Sequence, residues 1–475
     1  MRLNESNLEA LEGKGISVPR YDRKGLRRKI AHLGPGHFHR AHFLTYLDRL
    51  IRQGDTDWGV FELEIVPSNG ALGEKLKGQD CLYSLLSLSP DGSEKLRVNG
   101  PIVGYTSDPE EVLEALSSPE TELITLTITE KGYAYDGDGN LDFDDPGIAH
   151  DLVSDGLPVT ACGFLSAAFA RRFETRAAVT VMSCDNIPEN GDKLKAGVLA
   201  FCERKYPGIT AWVEESVAFP CTMVDRITPG TTDADIKKLS ERYGLEDDAP
   251  VHSEEFLQWV IEDRFSTPVP DFSKAGALVV PDVKPYELMK IRLLNGSHSA
   301  LSYPAYMMGI TRVDEAAADP LIKTFIRDRY MEEITLTLPP VPGMDLDAYK
   351  DELIERFSNP YIADTVLRLA SDGSKKIANA ILRPLEEGLE KGLPNSSLVA
   401  ALSLWEFFYL FRDEEGKPMP LDDPAASELL AAASSPRDFL RIAGLRTPDE
   451  GLFKLVEGNL SFLEKNGVKE FLRRV

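Results

Sequence analysis

Along the first 280 positions, short β-branched apolar runs alternate with stretches of helical spacing, the pattern of a mostly parallel α/β sheet. Lys29-Ile30-Ala31-His32-Leu33 reads as a first strand, followed by a turn at Gly34-Pro35-Gly36 and a helix through Phe43, Leu44, Leu47 and Leu50. Trp58 to Ile65 reads as the second strand, and Glu122 to Ile128 and Ala177 to Cys184 as later ones. Thr160 to Phe173 and Asp192 to Arg204 carry apolar residues at helical spacing. After Pro281 the texture changes to amphipathic helices, predicted over Glu287–Met308, Leu321–Arg329, Asp347–Phe357, Ser374–Lys391 and Asn395–Phe411. Punctuation such as Leu338-Pro339-Pro340-Val341-Pro342-Gly343 separates them. The pattern divides the chain into an α/β domain over residues 1–280 and a mainly α-helical domain over residues 281–475.

Length agrees with two cores, since a chain of 475 residues exceeds the about 250–300 at which single cores stop growing. A net charge of −24 excludes a nucleic-acid partner, which would need clustered Lys and Arg. It leaves room for a small ligand in a local basic pocket. No run approaches the roughly 18 apolar residues of a membrane span, and the N-terminus lacks the apolar core of a secretory signal. Cys81, Cys162, Cys184, Cys202 and Cys221 form no CxxC pair and read as thiols in a reducing compartment. The expectation is a cytoplasmic protein, a monomer or small homo-oligomer.

Gly34-Pro35-Gly36, between a strand and a helix, has the mechanics of a pyrophosphate turn: glycines permit the bend and let backbone approach phosphate. The usual third glycine is absent, with His39 in its place. The second strand ends in Phe61-Glu62-Leu63-Glu64, where a carboxylate would accept from an adenosine 2′-hydroxyl and repel a 2′-phosphate. This predicts a Rossmann-like domain binding NAD rather than NADP. Glu62 and Glu64 both remain open, with Glu64 preferred as nearer the strand's end. His32, His37, His39 and His42 crowd this region, but no flanking ligand completes a metal set, so no metal is expected. Asp136 to Asp144 resembles a calcium loop but has Leu141 at its sixth position and Gly147 at its twelfth, which favours a solvated hairpin.

The segment from Lys284 to His298 is the most informative. On an α-helix turning about 100° per residue, Lys290 and His298 lie about 80° apart and Asn295 and His298 about 60° apart. All three then share a face. A lysine whose pKa is lowered by burial can serve as base for a hydroxyl proton without metal. Asn295 can stabilise the developing alkoxide, and His298 can orient the same oxygen. Glu287, one turn before Lys290, could pass the proton to solvent.

Several separated segments are similar to one family. Val217 to Pro229, around Val224-Asp225-Arg226, resembles the signature of the polyol-specific long-chain dehydrogenases, which include mannitol 2-dehydrogenase, fructuronate reductase and arabinitol dehydrogenase. Gly34-x-Gly36-x-Phe38-His39-Arg40-Ala41-His42, Gln79-Asp80, Thr129 to Tyr133, Ser183 to Gly191 and Lys290-x4-Asn295-x2-His298 extend it over about residues 30–380. The resemblance implies metal-free hydride transfer between NAD and a polyol or sugar acid, with Lys290 as acid/base. It implies that Asn186 pairs with Asn295 on the substrate oxygen, that Asp225, Arg368 and Lys376 contact substrate, and that Gly34, Gly36, Phe38, Arg40 and Glu64 serve the cofactor. Pro35 departs from the pattern and removes one backbone donor from the turn; His37 could contact phosphate instead. The alternatives are reduction of fructuronate to mannonate within the family and, more distantly, a decarboxylating hydroxyacid dehydrogenase. From a different class, a non-catalytic NAD-binding regulatory protein would have lost part of this residue set.

Overall fold

The computed structural model describes residues 1–66, 70–137, 139–412, 417, 419–420 and 422–475. It divides into two compact units, one comprising Met1–Ser89 and Ser93–Val283, the other Pro90–Gly92 and Lys284–Val475.

The first unit is built on a six-stranded sheet. Its strands are β1 (Arg27–Leu33), β2 (Trp58–Leu63), β5 (Ile102–Thr106), β6 (Leu123–Leu126), β7 (Val179–Ser183) and β8 (Val217–Ala218), in the order β5-β2-β1-β6-β7-β8. Every pairing is parallel. All residues of β6 and β7 are buried, as expected where helices cover both faces of a parallel sheet. The order reverses at β1, whose neighbours are β2 and β6, and such reversals open a crevice at the strands' carboxyl ends. Two smaller sheets complete the unit. One orders β10 (Val251–Glu254), β3 (Tyr83–Leu88) and β4 (Glu94–Asn99); the other orders β12 (Leu278–Val280), β11 (Gln258–Glu262) and β9 (Thr222–Asp225).

The first predicted strand starts two residues earlier than expected, at Arg27, and the other three are two or three residues shorter, where backbone leaves the sheet to form the turns that matter below. After β1 the chain forms two helices rather than one, His37–Ala41 and Phe43–Gln53, meeting at His42. The acidic hairpin is present, with Tyr135 bridged to Leu141 and the Asp136 amide donating to Asn140 O; Asp138 lies outside the described residues.

The second unit is helical, but three of the predicted helices are not regular. Lys290–Asn295, Thr324–Tyr330 and Ala378–Leu382 are π-helical, each flanked directly by α-helix. The i→i+5 bonds are explicit: Gly296 N donates to Ile291 O, Met331 N to Ile326 O and Arg383 N to Ala378 O. The three stretches converge on Tyr330, whose buried hydroxyl sits 3.4 Å from Arg292 O and 3.5 Å from Ala380 O. Gly296 makes that convergence possible, because a Cβ there would lie 2.1 Å from Tyr330 Oη and 3.2 Å from Ala380 O.

Gly296→Ala is therefore expected to destabilise the protein by about 1–3 kcal/mol through overpacking, read as a lowered thermal midpoint. Combining it with Tyr330→Phe, which removes the nearest atom, should recover part of that loss.

Candidate functional site

The turn after β1 is held from beneath. Gly34 adopts φ +95°, and a Cβ there would lie 2.2 Å from Thr127 O, so only glycine fits. Gly34 O accepts from Thr127 Oγ1 (2.7 Å), from the Gly36 amide (2.7 Å) and from His32 Nε2 (3.0 Å). Because a carbonyl only accepts, His32 carries its proton on Nε2, and Nδ1 accepts from Thr125 Oγ1 at 2.7 Å. Burial pushes this imidazole down to about 3, which keeps it neutral. With Pro35 lacking an N–H and the Gly36 amide turned onto Gly34, the outward donors are the first-turn amides of the helix starting at His37. Gly36 is exposed, and nothing would crowd its Cβ closer than 3.9 Å, which leaves room for a pyrophosphate.

The four histidines separate into different roles. His39 stacks on His32 with ring centroids 3.3 Å apart, and its Nε2 lies 2.8 Å from Glu62 Oε1. A carboxylate does therefore join the histidines, contrary to the sequence expectation, because β2 runs alongside β1. His32, His39 and Glu62 could together gather a metal: the His32 nitrogens are bonded to the threonines and Gly34 and His39 Nε2 to Glu62 Oε1, while His39 Nδ1 and Glu62 Oε2 have no hydrogen-bond partner among the described residues. Burial raises Glu62 to about 7 and holds His39 well below its usual range, which favours the neutral form of each. Glu62 is fully enclosed. Glu64 is the half-buried carboxylate at the strand's end, where it accepts from the Tyr105 hydroxyl, and burial raises its pKa. His42 Nε2 donates to Gln258 O, and half-buried His37 is pushed down to about 4 by burial and Arg40. Arg40 is buried, with its guanidinium on Ala249 O and Gly36 O, so it braces the turn from behind; Phe38 stacks on His42.

Three motifs that are far apart in sequence meet in one polar knot. Asn190 is 1% exposed and its amide makes five bonds: Nδ2 donates to Ser183 O, Asp185 O, Thr222 O and Thr222 Oγ1, and Oδ1 accepts from Thr222 N. Asp185 accepts from the Ile128 amide (2.9 Å), the Thr129 amide (3.0 Å) and the Tyr133 hydroxyl (2.7 Å). The ends of β6, β7 and β9 are thereby tied together. Asn186 stands exposed at the apex of this knot, and Asp225, 4% exposed, closes β9 three residues after Thr222. Arg226 anchors that strand end by donating to Glu254 O, Ala41 O and Ser87 Oγ.

In the second unit, the π turn changes the register of the lysine segment. On a continuous α-helix Lys290 and Asn295 would stand about 140° apart, at the two edges of the face that the spacing predicted. An i→i+5 turn places residues five apart in the relation that i and i+4 hold in an α-helix, so the two share one side. His298 follows three residues later on regular α-helix, and its ring packs 4.6 Å from that of Phe357. Lys290 is 6% exposed and Glu287 8%, whereas Asn295 and His298 are half-buried. Asn295 Oδ1 is buried with no hydrogen-bond partner among the described residues. Arg292 fastens the opposite side of the π turn through Thr337 O (2.7 Å) and Glu387 Oε1 (2.7 Å). Arg368 and Lys376 flank the turn between the helices Val366–Ala370 and Gly373–Ile377. Arg368 is paired with Asp364, and burial lowers the Lys376 pKa.

Sequence reasoning reached Asn186, Asp225 and the lysine segment but not Asn190, Asp185, Arg226, Arg292 or Asp364. Asn190 and Arg226 lay inside recognised motifs, and Asp364 sits four residues before Arg368; those were the available signals.

The chain matches the mannitol dehydrogenase Rossmann domain over residues 28–274 and the mannitol dehydrogenase C-terminal domain over residues 282–443. It is 38% identical to mannitol 2-dehydrogenase of Phaeosphaeria nodorum, covering 99% of this chain and 84% of that protein. It is 38% identical to D-mannonate oxidoreductase of Escherichia coli, covering 87% and 86%. Among solved structures it resembles the Pseudomonas fluorescens mannitol 2-dehydrogenase ternary complex with NAD and D-mannitol, with TM-score 0.88, 34% identity and coverage of 100% and 99%.

The raised pKa of Glu62 has a pH consequence. Because the folded pKa of Glu62 is raised from 4.5 to about 7, its contribution to stability is full below pH 4.5 and lost as pH rises through 7. Glu62→Gln is expected to flatten the pH dependence of the thermal midpoint across that window; an unchanged slope would show that the pair is already ionised.

Proposed function

We propose, because this chain belongs to the mannitol dehydrogenase family, that it interconverts a polyol of the mannitol type and its ketose with NAD. The observation that carries this reading is the register of Lys290, Asn295 and His298 on the π turn, which sets a buried amine beside an amide with an uncommitted oxygen. The whole-chain likeness to the Pseudomonas fluorescens enzyme supports both the substrate class and the cofactor.

When bound, NAD supplies the hydride acceptor. Gly34, Gly36 and the amides after them suit its pyrophosphate; Phe38 and Arg40 brace that turn, and Glu64 suits the adenosine ribose. In oxidation neutral Lys290 takes the hydroxyl proton as hydride leaves the carbon, and in reduction protonated Lys290 returns it. The Asn186 and Asn295 amides donate to the reacting oxygen, where negative charge develops, and His298 orients it. No step calls on a metal. Asp225, Arg368 and Lys376 hold the rest of the polyol chain, and Glu287, one turn before Lys290, passes the proton onward.

A second reading, mannonate in place of mannitol, has the E. coli relative in its favour. Among the described residues no helix is long and apolar enough to cross a membrane. The five free thiols suit a reducing compartment such as the cytoplasm, where the chain would work as a monomer or small homo-oligomer.

NADH absorbance with mannitol, arabinitol, sorbitol and mannonate tests the activity, and failure on all four would sink it. Lys290→Ala should cut turnover by about 10²–10⁴-fold while NAD affinity, followed by fluorescence titration, stays the same; near-normal turnover would refute the lysine's role. Glu287→Gln should displace the pH profile of kcat more than it changes the KM for polyol. An unmoved profile would reduce Glu287 to a structural partner.

A further inference from the structure

Arg368 is one of two cations proposed to meet the far end of the substrate, but it does not offer a free positive charge. Its Nε donates to Asp364 Oδ1 at 2.5 Å and its Nη2 to Asp364 Oδ2, a two-pronged pairing along one edge of the guanidinium. The carboxylate is the fixed partner: the Asp364 side chain is 11% exposed and that of Arg368 60%. Asp364 Oδ1 also accepts the Thr365 amide at 2.8 Å, and Asp364 O accepts the Val313 amide at 3.1 Å. Among the described residues Nη1 has no protein partner, so it is the end of the guanidinium left to meet a ligand.

We propose that Asp364 determines the substrate class by neutralising Arg368, so that this end of the site takes the hydroxyl of a neutral polyol and disfavours the carboxylate of a sugar acid. The inference rests on the reading above that Arg368 contacts substrate. A hydroxyl needs only a donor, and Nη1 still provides one. An incoming carboxylate would gain from the guanidinium but meet the charge of Asp364 on the same group, and like charges held close discriminate against the wrong ligand. Lys376 does not restore the balance. Its Nζ lies 3.4 Å from Leu369 O, and Asp364, Asp372 and Asp422 all act on it electrostatically, three carboxylates against the two cations Lys376 and Arg368. Burial lowers its pKa and outweighs the three carboxylates, which raise it.

The test compares kcat/KM for D-mannitol and D-mannonate, with NAD, in the wild type and Asp364→Asn. The asparagine keeps an oxygen for the Thr365 amide while removing the charge. The wild type should favour mannitol, and Asp364→Asn should lower the mannitol-to-mannonate ratio by about tenfold or more, chiefly through the KM for mannonate. Adding Arg368→Gln to Asp364→Asn should abolish the gain in mannonate, since the uncovered charge is then gone. If Asp364→Asn does not fold, Asp364→Ser removes the same charge with less bulk. A correctly folded variant with an unchanged ratio, or a wild type that prefers mannonate, overturns the inference while leaving the family activity standing. A wild type inactive on every polyol and sugar acid overturns the underlying reading and this inference with it.

Discussion

The buried amide of Asn190 is the interaction on which the first unit's functional end depends. Strand ends in a parallel sheet leave backbone groups without partners, and these ends are enclosed. One side chain with a carbonyl oxygen and two N–H groups serves Ser183, Asp185 and Thr222 at once. Asp185 extends the same tie to Thr129 and Tyr133. Stranding such groups costs about 1–3 kcal/mol each, so the alternatives to this loop conformation are unfavourable. Asn186 can stand exposed because its neighbours on either side are so completely occupied.

The nucleotide turn follows the same logic at smaller scale. Gly34 supplies the backbone conformation, and its carbonyl is claimed by a threonine, an amide and a histidine. His32 is kept neutral, and burial favours the neutral forms of Glu62 and His39, because an ion in that enclosed stack would need a solvation that the site cannot supply. Arg40 and Arg226 are also buried, and each spreads its guanidinium over two backbone carbonyls.

Much of this was legible in the chain. The β-branched runs located β1, β2, β6 and β7, and the change of texture near residue 280 marked where helices take over. The turn glycines, the lysine segment and the Val224-Asp225-Arg226 signature were readable as residues. Their partners were not. Glu62 reaches His39 only because β2 lies beside β1, and Asn190 reaches Thr222 across 32 positions; local pattern carries no information about either. The acidic end of the second strand looked like one feature with two candidates, and the strand's end separated them: Glu62 lies within β2 beside β1 and is enclosed, whereas Glu64 lies just past Leu63 and is half-buried. The π turns were invisible for a different reason. A helix that gains one residue in a single turn keeps an apolar pattern close to the regular one, so the spacing placed the lysine and asparagine at the two edges of one broad face and gave no sign that the turn brings them closer.

That extra residue bears on how such a site can arise or be lost. An i→i+5 turn is an i→i+4 helix with one position added, so point substitution can change what Lys290 and Asn295 are but not how they are phased. The phase changes only by insertion or deletion. A relative that lacked the added position would reach the same alignment with its lysine and asparagine four residues apart on regular α-helix, and a search for the five-residue spacing would miss it. The length of the segment between Lys290 and Asn295 is as much a part of the inheritance as the residues at its ends.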